Sequence, residues 1–229
     1  MLTATAVRSG FARQPAPMVR RSPAPLGQSL FGSHELIGVA MPFGRNVEIY
    51  GENEPAEYLY KVISGSVRTY KILNDGRRQI GAFYLPGDIF GLEMGEEHSF
   101  SAEAIVDSNI LFIKRSAVVS LAARSNDVAH HLWTLTGEEL KRVQHHIMLL
   151  VKTAQERVAS FLLEMAARMS CERAFELPMS RQDIADYLGL TIETVSRTLT
   201  LLENAAAIEL PTSRQVVLRN RAALGRLDG

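Results

Sequence analysis

The sequence predicts an α+β protein built from an antiparallel β-roll, one long helix and a C-terminal winged helix-turn-helix. Short runs rich in Val, Ile, Tyr and Phe, separated by turn residues, occupy residues 31–118 and predict the roll. Apolar residues with helical spacing follow at 119–152 and predict the long helix. Residues 153–229 contain two short capped helical patterns and then two alternating runs, which predict the winged domain.

The composition is that of an ordinary globular protein, and it excludes several kinds of site. Of the 229 residues, 46% are hydrophobic and 22% are charged, and no apolar run reaches the length of a membrane span. The single cysteine, Cys171, excludes an internal disulfide and any zinc or iron–sulfur site that needs several cysteines. Because the N-terminus has no secretory leader, we expect a cytoplasmic protein without a membrane partner.

Residues 1–30 have the composition of a mobile arm. They contain four Arg, four Pro and no acidic residue. The segment is also rich in Ala and Ser, and this composition predicts a mobile tail. The same composition also resembles an organelle transit peptide, and we favour a mobile arm.

The predicted roll consists of short strands at close spacing. Asn74-Asp75-Gly76 is a strong hairpin signal between two of them. Gly65 and Gly87 stand at corners, where a left-handed or closely packed backbone is expected. The strands predicted from their β-branched and aromatic residues are Tyr58–Ile63, Ser66–Leu73, Arg78–Leu85 and Ile110–Lys114.

The long helix predicted at 119–152 carries a narrow apolar seam. Spacings of three and four residues separate the members of this seam, which are Leu140, Val143, Ile147 and Leu150. A straight seam beside a folded roll favours pairing with the same helix of a second chain, so we predict a homodimer. The alternative is a helix that buries this seam on its own roll. A separate amphipathic helix, Gln155–Met169, is predicted to lead into the last domain.

Residues 180–202 predict two short helices joined by a tight turn. Ser180 is placed as an N-cap with Asp183 three residues later, which is a capping-box arrangement. Gly189 supplies the left-handed residue that ends the first helix, and Thr191 caps the second. Val195, Leu199 and Leu202 are predicted to face inward, and Glu193, Thr194, Ser196, Arg197 and Thr200 outward. This spacing is typical of a helix-turn-helix, and the alternative is a helical hairpin inside a larger bundle.

Two short alternating runs after the helix pair predict a β-wing. They are Ile208–Leu210 and Gln215–Leu218, and Arg214 lies in the loop between them. Arg214 is placed to contact a DNA phosphate, although an ordinary solvated arginine is nearly as good an interpretation. Bulk charge supports DNA binding only weakly, because residues 152–229 contain ten basic and ten acidic residues.

The order of parts and two motifs carry a family resemblance. The roll motif Pro86-Gly87-Asp88-Ile89-Phe90-Gly91, the long helix and the run Glu193-Thr194-Val195-Ser196-Arg197 resemble the CRP/FNR superfamily of bacterial transcription regulators. The resemblance covers nearly all of residues 31–220, and its FixK-like branch matches best. It implies a homodimer that binds a TTGAT-N4-ATCAA-type palindrome in double-stranded DNA, contacts RNA polymerase and acts mainly as an activator. Thr198 departs from the family pattern, in which an apolar residue is usual.

The resemblance also implies which residues contact DNA. Glu193, Ser196 and Arg197 match the family's base-reading positions, and Ile192 and Thr194 could touch thymine methyl groups. Arg197 can pair with guanine O6 and N7, and Glu193 can accept from the cytosine amine. The predicted phosphate contacts are Ser180, Arg181, Thr191 and Arg214.

Two motifs of the family's sensor domains are missing, so we predict no cofactor. Iron–sulfur sensing in the family needs several cysteines, and this chain has one. Cyclic-nucleotide binding in the family needs an Arg at the phosphate, and His98 stands there beside Glu96 and Glu97. Carboxylates repel a cyclic phosphate, and a neutral His cannot form a bidentate clamp.

The remaining reactive side chains give weaker signals. Cys171 is a candidate redox-sensitive thiol, but an incidental loop cysteine is the better interpretation. The adjacent pairs His130-His131 and His145-His146 point about 100° apart on a helix, so we predict no metal site. No catalytic residues are predicted, and we expect no enzyme. The alternatives are a β-roll protein that binds a small molecule or metal, and a ligand-gated repressor of the same family.

Overall fold

The computed structural model describes residues 38–93 and 95–228, so the arm predicted at 1–30 lies outside the described residues. Within them, the predicted α+β architecture is confirmed: an antiparallel roll, a long helix and a winged helix-turn-helix follow one another along the chain.

Two antiparallel four-stranded sheets form the roll. One has the strand order β1-β8-β3-β6 and the other the order β2-β7-β4-β5. The strands are β1 Val39–Phe43, β2 Glu48–Tyr50, β3 Tyr58–Ser64, β4 Val67–Ile72, β5 Arg78–Tyr84, β6 Ile89–Phe90, β7 Ser101–Ala104 and β8 Ser108–Lys114. The longer strands β3, β4, β5 and β8 match the predicted runs closely. Strands β1, β2, β6 and β7 were not predicted from the sequence, and β2 and β6 have only three and two residues.

The corner at Gly65 shows why a glycine is needed there. Its φ is +84°, and a Cβ at this position would lie 2.2 Å from Ser108 Oγ. The Ser108 hydroxyl accepts from Ser66 N at 3.0 Å, so the two strands approach closely at this corner. Aromatic side chains, including the stacked rings of Tyr60 and Phe90, fill the roll behind it.

The segment after the roll forms two helices before it reaches the last domain. Helix α1, Arg115–Ala122, buries Val118 and Leu121 against the roll. The long helix α2, Asn126–Leu150, therefore begins later than the range 119–152 predicted for it. Helix α3, Ala154–Arg168, follows with a Thr153–Glu156 capping box at its start, in agreement with the predicted second amphipathic helix.

The C-terminal domain is a winged helix-turn-helix. Its elements are β9 Ala174–Glu176, α4 Arg181–Leu188, α5 Ile192–Asn204, β10 Ile208–Glu209, β11 Gln215–Leu218 and α6 Arg221–Asp228. The strands form a sheet in the order β10-β11-β9, so the predicted wing gains a third strand from before the helix pair. Neither β9 nor α6 was predicted from the sequence. Leu224 of α6 is fully buried, and Asp228 bonds to Lys152 and Ser160.

The apolar seam of α2 remains largely uncovered within the single chain. Leu140 and Ile147 are each 57% exposed, and Val143 and Leu150 are 47% and 40% exposed. Leu149, on the other side of the helix, is fully buried in the core of its own chain. The alternative in which the chain's own roll buries the seam is therefore not supported.

His146 of α2 joins the long helix to the helix-turn-helix. Its Nε2 lies 2.7 Å from the carbonyl oxygen of Tyr187 in α4, and the two rings stack with centroids 4.0 Å apart. Burial lowers the pKa of His146 below its ordinary value of 6.5. The contact is therefore made by the neutral imidazole.

The depressed pKa of His146 predicts a loss of stability in acid. The unfolded chain binds the proton more readily, so the stabilisation is complete above pH 6.5 and is lost as the pH falls through the folded pKa. We expect the melting temperature to fall on acidification from pH 7.5 to 5.5, and His146→Gln to flatten that fall. The exposed neighbour His145→Gln is the control. An equal pH slope in wild type and His146→Gln would contradict the assignment.

Candidate nucleic-acid interface

The first helix of the pair, α4, begins with the predicted capping box. Asp183 N donates to Ser180 Oγ at 3.1 Å, and Ser180 N donates to Asp183 Oδ2 at 2.9 Å. The Ser180 hydroxyl also donates to Asp183 Oδ2, at 2.7 Å. Both hydrogen-bond donors of Ser180 are thus engaged with Asp183, and the predicted phosphate contact would have to replace one of them.

The turn between α4 and α5 depends on Gly189. Its φ of 63° and ψ of 39° are left-handed, and Leu190 N donates to the carbonyl oxygen of Ala185 at 3.0 Å. A Cβ on Gly189 would meet Leu150 Cδ2 at 3.5 Å, which is an ordinary contact. The need for glycine therefore comes from the backbone conformation and not from crowding.

Gly189→Ala tests this interpretation of the turn. We expect it to lower the free energy of unfolding by roughly 1–2 kcal/mol, the cost of a left-handed non-glycine residue. Gly225→Ala in α6, where an added Cβ meets nothing within 4 Å, should instead raise it by about 0.5–1 kcal/mol. Urea unfolding of both variants measures the difference. A neutral Gly189→Ala would show that the turn relaxes without cost.

The second helix, α5, separates an apolar inner face from a polar outer one. Thr191 caps it by accepting from Thr194 N at 3.2 Å. The inward residues Val195, Leu199 and Leu202 are buried as predicted, and so is Thr198. Because residues three and four apart share a helix face, Glu193, Ser196 and Arg197 lie together on the outer side. Glu193 and Arg197 are exposed and Ser196 is half-buried.

The other residues predicted to contact bases lie at the two sides of this face. Ile192 is 37% exposed at the first turn, on the same side as Ser196. Thr194 is half-buried at the far edge, and its hydroxyl lies 3.1 Å from that of Thr191. The outer face is thus centred on the exposed Glu193 and Arg197, with the half-buried Ser196 beside them.

Glu193 carries its charge at the N-terminal turn of α5. Hydrogen bonds from its own backbone N–H and from the Thr191 hydroxyl lower the pKa of this carboxyl, and Arg197 adds to the effect. A carboxylate at a helix N-terminus also interacts favourably with the helix dipole. The face therefore presents one anionic acceptor and, one turn later, one cationic donor.

The wing lies beside the start of α4. Arg214 Nη1 donates to the carbonyl oxygen of Pro178 at 2.9 Å. Its guanidinium therefore contacts the residue two positions before Ser180. Thr212 Oγ1 accepts from Gln215 N at 3.0 Å and closes the tip of the wing. Arg181, at the first position of α4, is half-buried. The structure thus brings Arg214 close to the Ser180–Arg181 pair that was predicted to contact phosphates.

Cys171 lies in the loop between α3 and β9. It is half-buried against the C-terminal core, and its thiol donates to the Met169 carbonyl oxygen at 3.3 Å. Its redox role stays a prediction. Among residues 38–93 and 95–228, no cluster of three or more His, Cys, Asp or Glu side chains could hold a metal ion.

A cavity of about 710 Å³ separates the roll from α2. Its described lining residues include the carboxylates Glu93 and Glu139 but no lysine or arginine, and the seam of α2 forms one wall. Its aromatic lining residues are Tyr50, Tyr84, Phe90 and Phe100. The described lining therefore offers a phosphate two carboxylates and no lysine or arginine.

His98, which stands where the family's sensor domains need an Arg, points into the roll. Its side chain is fully buried, and its ring stacks on Tyr50 with centroids 3.6 Å apart. Its nitrogens lie 3.3 Å from Tyr60 Oη and 3.2 Å from Glu93 Oε2. His98 is thus part of the aromatic core and does not face the cavity as a phosphate clamp.

Comparison with known families matches both halves of the chain. Residues 41–125 match the model of the cyclic nucleotide-binding domain, and residues 156–227 match the Crp-like helix-turn-helix domain. In the described part of the chain, every helix is too short or too polar to cross a membrane.

Individual relatives agree with these matches. The nitrogen fixation regulation protein FixK of Azorhizobium caulinodans is 53% identical, over 84% of this chain and 80% of that protein. FixK of Rhizobium meliloti is 40% identical, over 88% of this chain and 92% of that protein. The structure of FixK2 from Bradyrhizobium japonicum superimposes with a TM-score of 0.82 and 51% identity, covering 85% of this chain and 98% of that one. The chain therefore belongs to the FixK branch of the CRP/FNR superfamily and is a transcription regulator with a helix-turn-helix DNA-binding domain.

Proposed function

We propose that the chain is a homodimeric activator that binds a TTGAT-N4-ATCAA-type palindrome and contacts RNA polymerase without a bound cofactor. The observation that carries the proposal is the shared outer face of α5, on which Glu193, Ser196 and Arg197 project together from a capped helix. Such a helix fits the major groove, where base edges are distinguishable. The protein would act in the bacterial cytoplasm, where DNA and polymerase are.

Each residue of the face has a distinct role in the proposed complex. Arg197 donates two hydrogen bonds to guanine O6 and N7, and Glu193 accepts from the amine of a cytosine. Ser196 is short enough to let the helix approach and can donate or accept. Ile192 and Thr194 contact thymine methyl groups at the edges. The G·C pair and the thymines of TTGAT offer partners of these kinds.

Phosphate contacts fix the orientation of the helix pair. The phosphates of the DNA backbone accept N–H and O–H hydrogen bonds from three residues. These are Arg181 at the start of α4, Thr191 at the start of α5 and Arg214 on the wing. Ser180 would join them by exchanging a bond to Asp183. Since the domain has no net charge excess, affinity depends on the placement of these few groups.

The exposed seam of α2 supports the homodimer. Four apolar side chains, Leu140, Val143, Ile147 and Leu150, are each at least 40% exposed in the single chain. Pairing with a second copy would remove this apolar surface from water and place the two α5 helices around a two-fold axis. The two half-sites would then lie about one helical turn apart.

The lining of the roll cavity supports independence from a nucleotide. Glu93 and Glu139 are its described acidic residues, and the position that needs an Arg holds the buried His98. A cyclic phosphate would lose its solvation there without gaining a cation. The proposed activator is therefore competent for DNA as it is synthesised.

A mobility-shift titration tests the proposed function. We expect the purified chain to shift a TTGAT-N4-ATCAA duplex with no added nucleotide, and added cyclic AMP or cyclic GMP to leave the curve unchanged. Transcription with purified RNA polymerase from a promoter that carries the site should rise when the protein is present. A shift that required a nucleotide would overturn the independence from a cofactor, and no shift under any condition would overturn the DNA target.

The cavity itself favours one second candidate, a ligand-gated repressor of the same family. Its volume of about 710 Å³ and its aromatic walls suit a small apolar molecule. Deletion of the protein would then raise promoter output, whereas deletion of an activator would lower it.

A further inference from the structure

An interdomain ion-pair cluster, formed by Arg68, Arg78, Asp183 and Asp186, joins the roll to α4. Arg68 Nη1 lies 3.1 Å and Arg78 Nη2 2.6 Å from Asp183 Oδ1. Arg78 also bonds to Asp186 Oδ2, at 2.7 Å from its Nε. The side chains of Arg68 and Asp183 are 8% and 5% exposed, so these pairs are shielded from solvent.

Asp183 links this cluster directly to the start of the helix-turn-helix. Its Oδ2 accepts from Ser180 N and Ser180 Oγ, while its Oδ1 meets the two guanidinium groups of the roll. Burial alone would raise the pKa of Asp183, but the Ser180 hydrogen bonds and the two arginines hold it below its ordinary value. One ionised carboxylate thus caps α4 and binds the roll.

The other end of α4 is held by the helices. The carbonyl oxygen of Tyr187 meets His146 of α2 at 2.7 Å, and that of Leu188 accepts from Arg157 of α3 at 2.9 Å. The turn at Gly189 leads directly into α5. Because α4 and α5 pack on each other through Leu188 and Val195, the direction of α5 follows that of α4.

The cluster ties α4 to the roll, whereas the proposed two-fold axis runs along the seam of α2. The seam of α2 defines the proposed two-fold axis, and the C-terminal end of α4 contacts α2 at His146. Helix α4 also packs on the roll through apolar contacts, since Ile184 and Tyr187 are buried in one core with Ile80 and Phe83 of the roll. The ion pairs of Arg68 and Arg78 fix its other end to the roll.

We propose that Arg68 and Arg78 are positioning residues that set the angle of α5 to the dimer axis and thereby the half-site spacing that the regulator accepts. The inference rests on the proposed palindrome binding. One base pair added between half-sites moves one of them by about 3.4 Å and rotates it by roughly 35°, so a fixed angle of α5 suits one spacing. A less firmly oriented α4 would accept several spacings.

A spacer series tests the proposal on DNA. Duplexes with the two half-sites separated by three, four, five or six base pairs are titrated with wild type, Arg78→Gln, Arg78→Lys and Arg77→Gln. Arg77 is the matched control, since its side chain is 77% exposed and pairs with Asp75 in its own hairpin. We expect Arg78→Gln to reduce the discrimination between best and neighbouring spacers by about tenfold, because the charge-assisted bonds to Asp183 and Asp186 are lost. Arg78→Lys should restore part of the discrimination, and base preference within each half-site should not change.

A distance measurement separates failure of this inference from failure of the proposed function. Nitroxide labels on Glu57→Cys in the roll and Glu172→Cys in the C-terminal domain, in a Cys171→Ser background, report the angle between domains without DNA. The labelled chain is mixed with excess unlabelled chain, so that most labelled dimers carry the two labels on one chain. We expect a narrow distance distribution in the parent and in Arg77→Gln, and a broad one in Arg78→Gln. An unchanged distribution, or an unchanged spacer profile, in Arg78→Gln would overturn the positioning role even if the wild type binds its palindrome.

Discussion

Arg197→Ala is expected to abolish discrimination at the guanine of each half-site. A bidentate arginine–guanine pair contributes roughly 1–3 kcal/mol of discrimination, and a dimer on a palindrome loses two of them. Equilibrium titration of wild type and variant against TTGAT-N4-ATCAA and against duplexes with that G·C pair replaced by A·T measures the loss. Wild type should prefer the first duplex strongly, and the variant should bind both alike.

Arg181→Ala provides the contrast to Arg197→Ala. Arg181 is predicted to contact a phosphate, so its loss should weaken binding about equally on every sequence and reduce the salt slope by about 1 per subunit. The base preference should stay that of the wild type. Unchanged preference in Arg197→Ala, or changed preference in Arg181→Ala, would reverse the roles assigned to these two arginines.

Ile147→Asp is expected to produce a monomer that no longer binds the palindrome. Ile147 lies in the centre of the seam and is 57% exposed in the single chain, so its substitution leaves the chain's own core intact. Burial of an isoleucine contributes about 1.5–3 kcal/mol to the free energy of association, and a symmetric dimer contains the substitution in both chains. A carboxylate placed at that axis would also meet its own copy.

The molar mass from light scattering after size-exclusion chromatography tests this prediction directly. The variant should run near 25.3 kDa, the mass of one chain, and the wild type near twice that mass. His145→Asp, on the side of α2 away from the seam, is the control and should remain dimeric. A dimeric Ile147→Asp would place the interface elsewhere on the surface.

Local sequence signals predicted the helix-turn-helix in detail. Capping is decided by residues three apart, so Ser180 with Asp183, and Thr191 with Thr194, could be identified from the sequence alone. Gly189 was identifiable because few other residues adopt a left-handed backbone. The outward set of α5 follows from helical spacing in the same way.

The long helix and the shortest strands were predicted less well. Helical patterning runs through residues 116–169, and the break at Ala123–Ser125 has no Gly or Pro to mark it, so α1 was merged with α2. Strand β6 has two residues, too few for an alternating pattern to emerge. Strand β9 joins the wing by pairing with residues about 40 positions later. The local pattern of a short stretch of sequence does not reveal a pairing over that distance.

Contacts between distant residues could not be predicted at all. The interdomain cluster joins Arg78 to Asp183 across 105 positions, and Arg68 to the same carboxylate across 115. In the sequence, Asp183 is only a capping residue and Arg78 only a charge in a hairpin. The bond from Arg214 to Pro178 depends likewise on how the wing folds back on α4.

The specificity ratio of the nucleotide-free dimer tests the central claim most directly. Competition titrations at one fixed, near-physiological salt concentration compare TTGAT-N4-ATCAA with a scrambled duplex of equal length and composition. A sequence-specific regulator should bind its site at least about a thousandfold more tightly than the scrambled duplex. Equal affinity for the two duplexes would contradict the claim that Glu193, Ser196 and Arg197 read bases.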